Sequence, residues 1–255
     1  MAKKWKATVS SSLAPSLNMA LDQILWEKAK NEPDTVFLRF YSWEPPGISL
    51  GANQKSSELV NTEYCQQEGI EVVRRITGGS AILHDRELTY SFATVNDALF
   101  PGAIQSYERI CGALLATLQN LGIVAEFRGV SMGIEPSFSN QDCFSLTSRH
   151  DIVVENRKLI GSAQRKDKSS FLQHGSILID IDKPLWREVF LLEPQFDRII
   201  ALSDLEITTN IESLAQSCIQ GFEEYFVVEC MPFSFSKEEM ARARELAPSY
   251  TLPSS

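Results

Sequence analysis

Hydrophobic residues recur at helical spacing in four segments of the chain. Residues 15–31 read PSLNMALDQILWEKAKN, and their leucines and Ile24 share one face of a helix whose candidate N-cap is Ser16. The other three segments are 107–123, 210–226 and 236–247. The last of them opens with Ser236 three residues before Glu239, a pattern that predicts a capping box. Gly122 suits a position just beyond the second helix, because glycine readily adopts the left-handed backbone that ends many helices. The pattern therefore predicts amphipathic helices near both ends of the chain and one in the middle.

Between these helices lie segments rich in β-branched and aromatic residues, which predict strands. These segments are 34–43, 44–54 (a short strand among turns), 70–79, 80–95, 151–165 and 170–181. Within 151–165, Glu155-Asn156 predicts a tight hairpin turn. Residues 128–148 are rich in Ser, Asn, Gly and Pro without periodicity, which predicts a long loop of the kind that is functional or disordered.

Helices and strands interleave without a repeat or a linker. This order predicts an α/β (α+β) fold with much antiparallel pairing. A length of 255 residues is compatible with one α/β unit. We therefore expect one domain over residues 1–255, with its core over about 30–230 and helices near both termini.

Composition and charge exclude several classes of protein. The chain is 44% hydrophobic and 22% charged, and it contains no apolar stretch of the ~20 residues that a membrane span requires. The first residues, MAKKWKATVSSS, have no apolar run behind their lysines, which argues against a secretory signal. A net charge of −9 argues against general nucleic-acid binding. We therefore expect a cytoplasmic protein with neither nucleic acid nor a membrane as partner.

The cysteines and histidines do not form a metal-binding pattern. Five cysteines occur without any C-x-x-C pair, and none of the three histidines has a cysteine or carboxylate at ligand spacing. In a chain without an export signal such cysteines are expected to be reduced thiols. We expect no structural metal.

A glycine pair interrupts the strand pattern in RRITGGSAILHDRELTYSF, residues 74–92. Glycine in a strand costs about 0.5–1 kcal/mol, so Gly78-Gly79 indicates either an ordinary bulge or a place where the backbone is closely approached. Arg74 and Arg75 point to opposite faces of a strand, which leaves one of them able to face a ligand.

Cys143 lies in the polar segment SFSNQDCFSLTS, which cannot bury it in a core by itself. A cysteine nucleophile suits such a place if a cation lowers the thiol pKa from its usual ~8.5. Lys158, across the predicted hairpin, is a candidate cation, although lysines in turns usually face solvent. The small residues Gly161, Ser162 and Ala163 could let an acyl chain pass close to the backbone.

Two further features remain open between a structural and a functional interpretation. His84 and His174 each lie within a strand pattern, where a histidine can be either a satisfied core or edge residue or part of a site. The segment from Arg149 to Lys168 holds six basic residues against three acidic ones, which indicates either a solvated loop or a docking surface.

Four motifs in chain order carry a resemblance to a known family. SLNMALDQIL, RRITGGSAILHDRELTYSF, NRKLIGSAQR and FLQHGSILI resemble the lipoate–protein ligase and octanoyltransferase superfamily over roughly residues 13–250. The resemblance implies a mixed, largely antiparallel sheet flanked by helices, like the catalytic domain of biotin and lipoyl protein ligases. In that fold the Arg-Arg-x-x-Gly-Gly segment lines the ligand pocket. The pocket residues so implied are Arg74, Arg75, Gly78, Gly79, His84, Gly161, Ser162, Ala163, His174 and Gly175.

Within the superfamily, QDCFS ahead of NRKLIGSAQ resembles the cysteine-dependent octanoyltransferases of lipoate biosynthesis, which load the glycine cleavage H protein. This resemblance implies that Cys143 carries octanoyl as a thioester, with octanoyl–acyl carrier protein as donor and a lysine of a lipoyl-accepting protein as acceptor. It implies that Lys158 assists and that no cofactor is needed; we expect a monomer. Ser80 and the tail LAPSYTLPSS depart from the family pattern.

Three alternatives stay open. An ATP-dependent lipoate–protein ligase would need ATP and magnesium and would use Lys158 against an acyl-adenylate. An amidotransferase would move octanoyl or lipoyl between protein lysines through the same cysteine. A non-catalytic protein would bind acyl carriers without forming an acyl-enzyme.

Overall fold

The structure is a computed structural model that describes residues 3–128 and 151–252. Its strands are β1 (Lys4–Val9), β2 (Thr35–Tyr41), β3 (Gly47–Leu50), β4 (Glu71–Arg74), β5 (Ile82–His84), β6 (Glu87–Val95), β7 (Glu126–Phe127), β8 (Ile152–Val154), β9 (Arg157–Lys166), β10 (Ser170–Leu178) and β11 (Cys230–Pro232). Its α-helices are α1 (Pro15–Asn31), α2 (Thr62–Gln67), α3 (Ala103–Asn120), α4 (Lys183–Val189), α5 (Ile211–Phe226) and α6 (Lys237–Leu246).

Most of the strands belong to one eight-stranded sheet with the order β11-β1-β2-β6-β10-β9-β8-β7. The pairs from β2 to β7 in this order are antiparallel, whereas β1 pairs with β2 and β11 in parallel. A second sheet of three strands has the order β4-β3-β5. The predicted fold class, a mixed and largely antiparallel sheet flanked by helices, is confirmed.

Helices cover both faces of the large sheet, which explains why its central strands are buried along nearly their whole length. Every residue of β2 is buried. On one face α3 and α5 pack over Leu38 and Phe92, and on the other α1 packs over Tyr41. Strands that are buried on both faces read as continuous hydrophobic runs rather than as alternating ones.

The start of α1 differs from the prediction that Ser16 caps it. The N-cap is Ala14, and Pro15 occupies the first turn, where its fixed φ and missing N–H cost nothing. The Ser16 amide instead donates to the Glu71 carboxylate at 3.2 Å. Tertiary contact with β4 thus replaces a local cap.

Several local predictions are confirmed. The turn residues Glu155 and Asn156 have φ of 49° and 63°, as the hairpin requires. Gly122 follows the end of α3 with φ of 76°. The predicted Ser236–Glu239 capping box is present, with the Glu239 amide donating to Ser236 Oγ at 3.1 Å.

Candidate active site

A cavity opens between α1, the small sheet and the strands β6, β10 and β9 of the large sheet. The space between its lining residues, including the part that is open to solvent, is about 450 Å³. Eight residues implied by the sequence line it: Arg75, His84, Lys158, Gly161, Ser162, Ala163, His174 and Gly175. Antiparallel pairing brings the last three motifs together, since His174 on β10 faces Ser91 on β6 and Ala163 on β9.

Three of the other implied residues lie elsewhere. Arg74, Gly78 and Gly79 are absent from the lining of this cavity. Cys143 lies in 129–150, outside the described residues. Because β4 ends at Arg74, the glycine pair belongs to the turn that follows rather than to a strand interior.

A close backbone approach, one of the two interpretations left open for Gly78-Gly79, occurs at Gly51. A Cβ atom at Gly51 would lie 1.9 Å from the Gly79 carbonyl oxygen, and Gly79 has φ of +91°. The two turns therefore touch through main-chain atoms, a contact that a side chain on Gly51 would prevent.

Both arginines hold these turns. Arg74 donates through Nη1 to the carbonyls of Gly51 at 3.0 Å and Gln54 at 2.6 Å. Arg75 donates to the carbonyls of Gly78 and Ser80, both at 2.8 Å. The Arg-Arg-x-x-Gly-Gly segment thus fastens one wall of the cavity to the small sheet.

Lys158 projects into the cavity from the start of β9. Its ammonium lies 2.9 Å from Asp151 Oδ1, and only 3% of Lys158 and 1% of Asp151 are exposed. A buried carboxylate beside a buried ammonium keeps both charges inside the protein. Asp151 was missed by sequence reasoning, although an acidic residue directly before the apolar run of β8 was a visible signal.

Another part of the cavity wall, at His174, is held by a carboxylate of α1. Asp22 accepts hydrogen bonds from Arg39 at 3.0 Å, Ser91 at 2.7 Å, Tyr41 at 2.9 Å and His174 Nδ1 at 2.8 Å. Burial acts to raise the pKa of Asp22, but the hydrogen bond from His174 and the charge of Arg39 bring it below 3.8. Asp22 is therefore an ionised carboxylate in the protein interior.

Sequence reasoning also missed Asp22. In residues 15–31 the helical periodicity marks only the apolar positions of the helix. Asn18 and Asp22 lie four residues apart on the buried side, where both are at most 1% exposed. Two polar residues on an apolar helical face were the available signal, because such residues are buried only with partners.

His84 forms a second buried histidine–carboxylate pair. Its Nδ1 lies 3.1 Å from Glu87 Oε1, and its Nε2 lies 2.8 Å from Ser49 Oγ. The ring stacks on Trp43 with 3.8 Å between centroids. Burial lowers the pKa of His84 below 6.5, although Glu87 acts in the opposite direction. His84 and His174 thus have buried hydrogen-bond partners and also line the cavity. A structural role and a place in the site are therefore compatible for both residues.

The four cysteines within the described ranges are free thiols. Burial raises the pKa of Cys65 to about 11 and those of Cys218 and Cys230 to about 12, and it also raises the pKa of Cys111. None of the four lines the cavity. They are therefore poor sources of a thiolate at neutral pH.

Within the described part of the segment from Arg149 to Lys168, some basic residues are buried or paired and others are exposed. Lys158 is buried, and Arg157 pairs with Glu155 at 2.7 Å, so neither is an unpaired surface charge. The exposed basic residues that remain in the described part of the segment are Arg165, Lys166 and Lys168 at the turn between β9 and β10.

Within residues 3–128 and 151–252, no helix has both the length and the apolar character to cross a membrane. The same residues contain no group of three or more histidine, cysteine or acidic side chains arranged to hold a metal ion.

Comparison with known proteins decides the family. Residues 14–229 match the model of the lipoyl protein ligase A/B catalytic domain. The chain belongs to this family. Its relatives include the octanoyltransferase LipM of Brevibacillus brevis, which is 35% identical over 96% of this chain and 95% of the relative. The octanoyltransferase LipM of Bacillus subtilis is 32% identical over 95% and 94%. The resemblance seen in the four motifs is thereby confirmed.

Solved structures of the family share the fold. A lipoate-protein ligase A bound with ATP superposes with a TM-score of 0.79 and 23% identity, over 97% of this chain and 95% of that one. A bi-partite lipoate protein ligase from Thermoplasma acidophilum gives a TM-score of 0.77 and 21% identity, over 96% and 92%. At these identities the likeness establishes the architecture.

Proposed function

We propose that this chain is an octanoyltransferase of lipoate biosynthesis that works through a thioester on Cys143. The octanoyltransferase relatives match it over nearly their whole length, which is the observation that carries the proposal. The donor is octanoyl–acyl carrier protein, and the acceptor is a lysine of a lipoyl-accepting protein of the H-protein type. The cavity between α1 and β9 holds the octanoyl chain.

In the first step the Cys143 thiolate attacks the thioester carbonyl of the donor. A carbon–sulfur bond to Cys143 forms, the bond to the carrier sulfur breaks, and the carrier thiolate takes up a proton. Two findings support this choice of cysteine. First, the cysteines in the described ranges have raised pKa values, which makes them unsuitable as nucleophiles. Second, the residues that flank the segment containing Cys143 are joined close to Lys158, because the Arg128 amide donates to the carbonyl of Asp151 at 3.1 Å.

Lys158 stabilises the thiolate and then gives and takes the protons of the two steps. Only a few per cent of an ordinary cysteine is thiolate at pH 7, so a nearby cation raises the amount of nucleophile. The ion pair with Asp151 supports this role, because it fixes the Lys158 ammonium at the cavity wall.

Backbone N–H groups near Gly161, Ser162 and Ala163 hold the oxyanion. Strand β9 pairs with β10 along one edge and with β8 along the other. Among the described residues the pairing with β8 ends at Ile160, so from Gly161 onward this second edge of β9 has no strand partner in that part of the chain. Backbone donors on such an edge are available to a developing negative charge. The small side chains leave them accessible.

In the second step the acceptor lysine attacks the Cys143 thioester. A carbon–nitrogen bond forms, the carbon–sulfur bond breaks, and the amine proton passes to the cysteine sulfur. The acyl group arrives already activated as a thioester, so this route requires no ATP, metal or other cofactor. We keep the predictions of one domain, a monomer and a cytoplasmic location as part of the proposal.

The test is intact-protein mass spectrometry after incubation with octanoyl–acyl carrier protein in the absence of ATP. We expect an octanoyl adduct on the wild type and on the control Cys230→Ala, whose half-buried thiol lies outside the cavity. Cys143→Ala should remain unmodified. An adduct on Cys143→Ala would overturn the assignment of the nucleophile.

The same experiment separates the alternatives. Transfer that requires ATP, magnesium and free lipoate would assign the chain to the ligases. An adduct that forms only from an octanoylated or lipoylated protein would identify an amidotransferase. Binding of the carrier without any adduct would indicate a non-catalytic protein.

A further inference from the structure

The guanidinium of Arg75 uses every N–H group on the protein itself. Nε–H faces Thr77 Oγ1 and the Gly78 carbonyl, both at 3.2 Å. Nη1 donates to the Ser49 carbonyl at 2.8 Å and to Ser49 Oγ at 3.2 Å, and Nη2 donates to the carbonyls of Gly78 and Ser80. Arginine has five such hydrogens, so none is left over for a substrate anion.

The two hydroxyls that accept from Arg75 must donate to the two histidines. Thr77 is fully buried and Ser49 is 1% exposed, so each hydroxyl hydrogen needs an acceptor inside the protein. The acceptor within reach of Thr77 Oγ1 is His174 Nε2 at 2.6 Å, and for Ser49 Oγ it is His84 Nε2 at 2.8 Å. Both Nε2 atoms are therefore unprotonated.

The proton of each ring then lies on Nδ1, which faces a carboxylate. His174 Nδ1–H donates to Asp22, and His84 Nδ1–H donates to Glu87. Asp22 accepts from three other donors, and Glu87 also accepts from Thr89 and Ser176. Each carboxylate therefore leaves its histidine a single orientation, because an ionised carboxylate can only accept.

We infer that Arg75 is a positioning residue held between two matching relays, Asp22–His174–Thr77 on one side and Glu87–His84–Ser49 on the other, rather than an anion-binding residue. The two carboxylates set the tautomers of the two histidines, these set the directions of the two hydroxyls, and the hydroxyls orient the guanidinium. Arg75, which lines the cavity, in turn holds the carbonyls of Gly78 and Ser80, and so the turn that follows β4. The functional part of this inference rests on the proposed acyl transfer.

The tautomers are measured directly from the nitrogen resonances of the histidine rings in protein labelled with ¹⁵N-histidine. The chain has three histidines, so His150→Gln leaves the two signals of interest. We expect a protonated Nδ1 and an unprotonated Nε2 in both rings at pH 7. A protonated Nε2 in either ring would overturn the relay on that side, whatever reaction the protein catalyses.

Activity is tested by Thr77→Val, which removes the hydroxyl and keeps the shape of the side chain. We expect kcat/KM for octanoyl transfer to fall about 10- to 100-fold, because a small displacement of the groups that position a substrate typically slows its reaction by such a factor. The control is Thr117→Val at an equally buried threonine of α3 whose hydroxyl donates to the Ala113 carbonyl. That variant should retain wild-type activity. Thr77→Val with unchanged kcat/KM and an unchanged His174 Nε2 resonance would contradict the inference.

Arg75→Lys separates a positioning role from a charge role. Lysine keeps the positive charge but has three donors on one atom and cannot reach both turns and both hydroxyls. We expect Arg75→Lys to lose as much kcat/KM as Arg75→Gln. Near-wild-type activity of Arg75→Lys beside an inactive Arg75→Gln would show that the charge is what matters. Absence of transfer by the wild type would instead refute the proposed function and leave the ring measurements as the test of the relays.

Discussion

The Lys158 ammonium and the Asp151 carboxylate lie 2.9 Å apart at the wall of the cavity, and both side chains are almost entirely buried. Asp151 directly precedes β8 and Lys158 is the second residue of β9, so the pair spans the hairpin next to residues 129–150. The charge that the proposed mechanism requires is therefore fixed by a partner on the neighbouring strand.

Replacing Asp151 by Asn should be costly in both stability and activity. Removing one partner of a buried ion pair leaves an uncompensated charge, which typically costs about 3–5 kcal/mol. We expect the free energy of unfolding, measured by urea denaturation, to fall by about that amount. The matched control is Glu155→Gln, which breaks the exposed pair with Arg157 and should cost less than about 1 kcal/mol. An equal loss of unfolding free energy in the two variants would show that burial does not make the Asp151–Lys158 pair more costly to break.

Asp22 should make the protein sensitive to acid. Its pKa is below 3.8 in the folded protein and close to 3.8 in the unfolded chain, so below that pH the unfolded state binds the proton more readily. Stability contributed by Asp22 is therefore complete well above pH 3.8 and is lost as the pH falls through its folded pKa. Urea denaturation between pH 7 and pH 3 should show a shallower acid decline in Asp22→Asn than in the wild type, from a lower starting stability. If the free energies of unfolding of the two proteins fell in parallel with pH, Asp22 would not be a cause of the loss of stability in acid.

The exposed lysines at the β9–β10 turn should speed the encounter with the carriers if these are acidic proteins. Reversing Lys166 and Lys168 to Glu places negative charge where a protein of net charge −9 offers positive charge. We expect kcat/KM at low salt to fall about tenfold, with a smaller effect at high salt, because screening weakens exposed charges. Reversal of the exposed Lys183 and Lys237 on α4 and α6 is the control for net charge. Equal effects of the two double variants would show that the turn is not a docking surface.

Val227 offers a stabilising substitution. It follows α5 with φ of 55° and is 89% exposed, so a β-branched residue occupies a left-handed conformation without gaining buried contacts. Glycine avoids the steric cost of this conformation, which is about 1–2 kcal/mol for other residues. We expect Val227→Gly to raise the melting temperature. Val124→Gly, at a residue that is 92% exposed and lacks a positive φ, should give no gain.

Prediction from the sequence succeeded where neighbouring residues decide the structure. The Glu155-Asn156 turn, the capping box of α6 and Gly122 beyond α3 each depend on backbone preferences over a few positions. It was wrong for Ser16, because a proline in the first turn and the Glu71 carboxylate of β4 replaced the expected cap. The glycine pair left an ordinary bulge and a close backbone approach both open, and the partner at Gly51 could not be read from the sequence.

The sequence by itself determined the four longest helices, the hairpin, the family and eight of the residues that line the cavity, but not the short helices α2 and α4. Short-range periodicity and the order of four motifs are properties of the chain alone. The tertiary structure decided which side chains meet: Asp22 reaches His174 across 152 positions, and Arg75 turns toward protein carbonyls. The physical reason is that a buried charge or hydroxyl takes its role from its hydrogen-bond partners, and those partners are brought together only by strand pairing and helix packing.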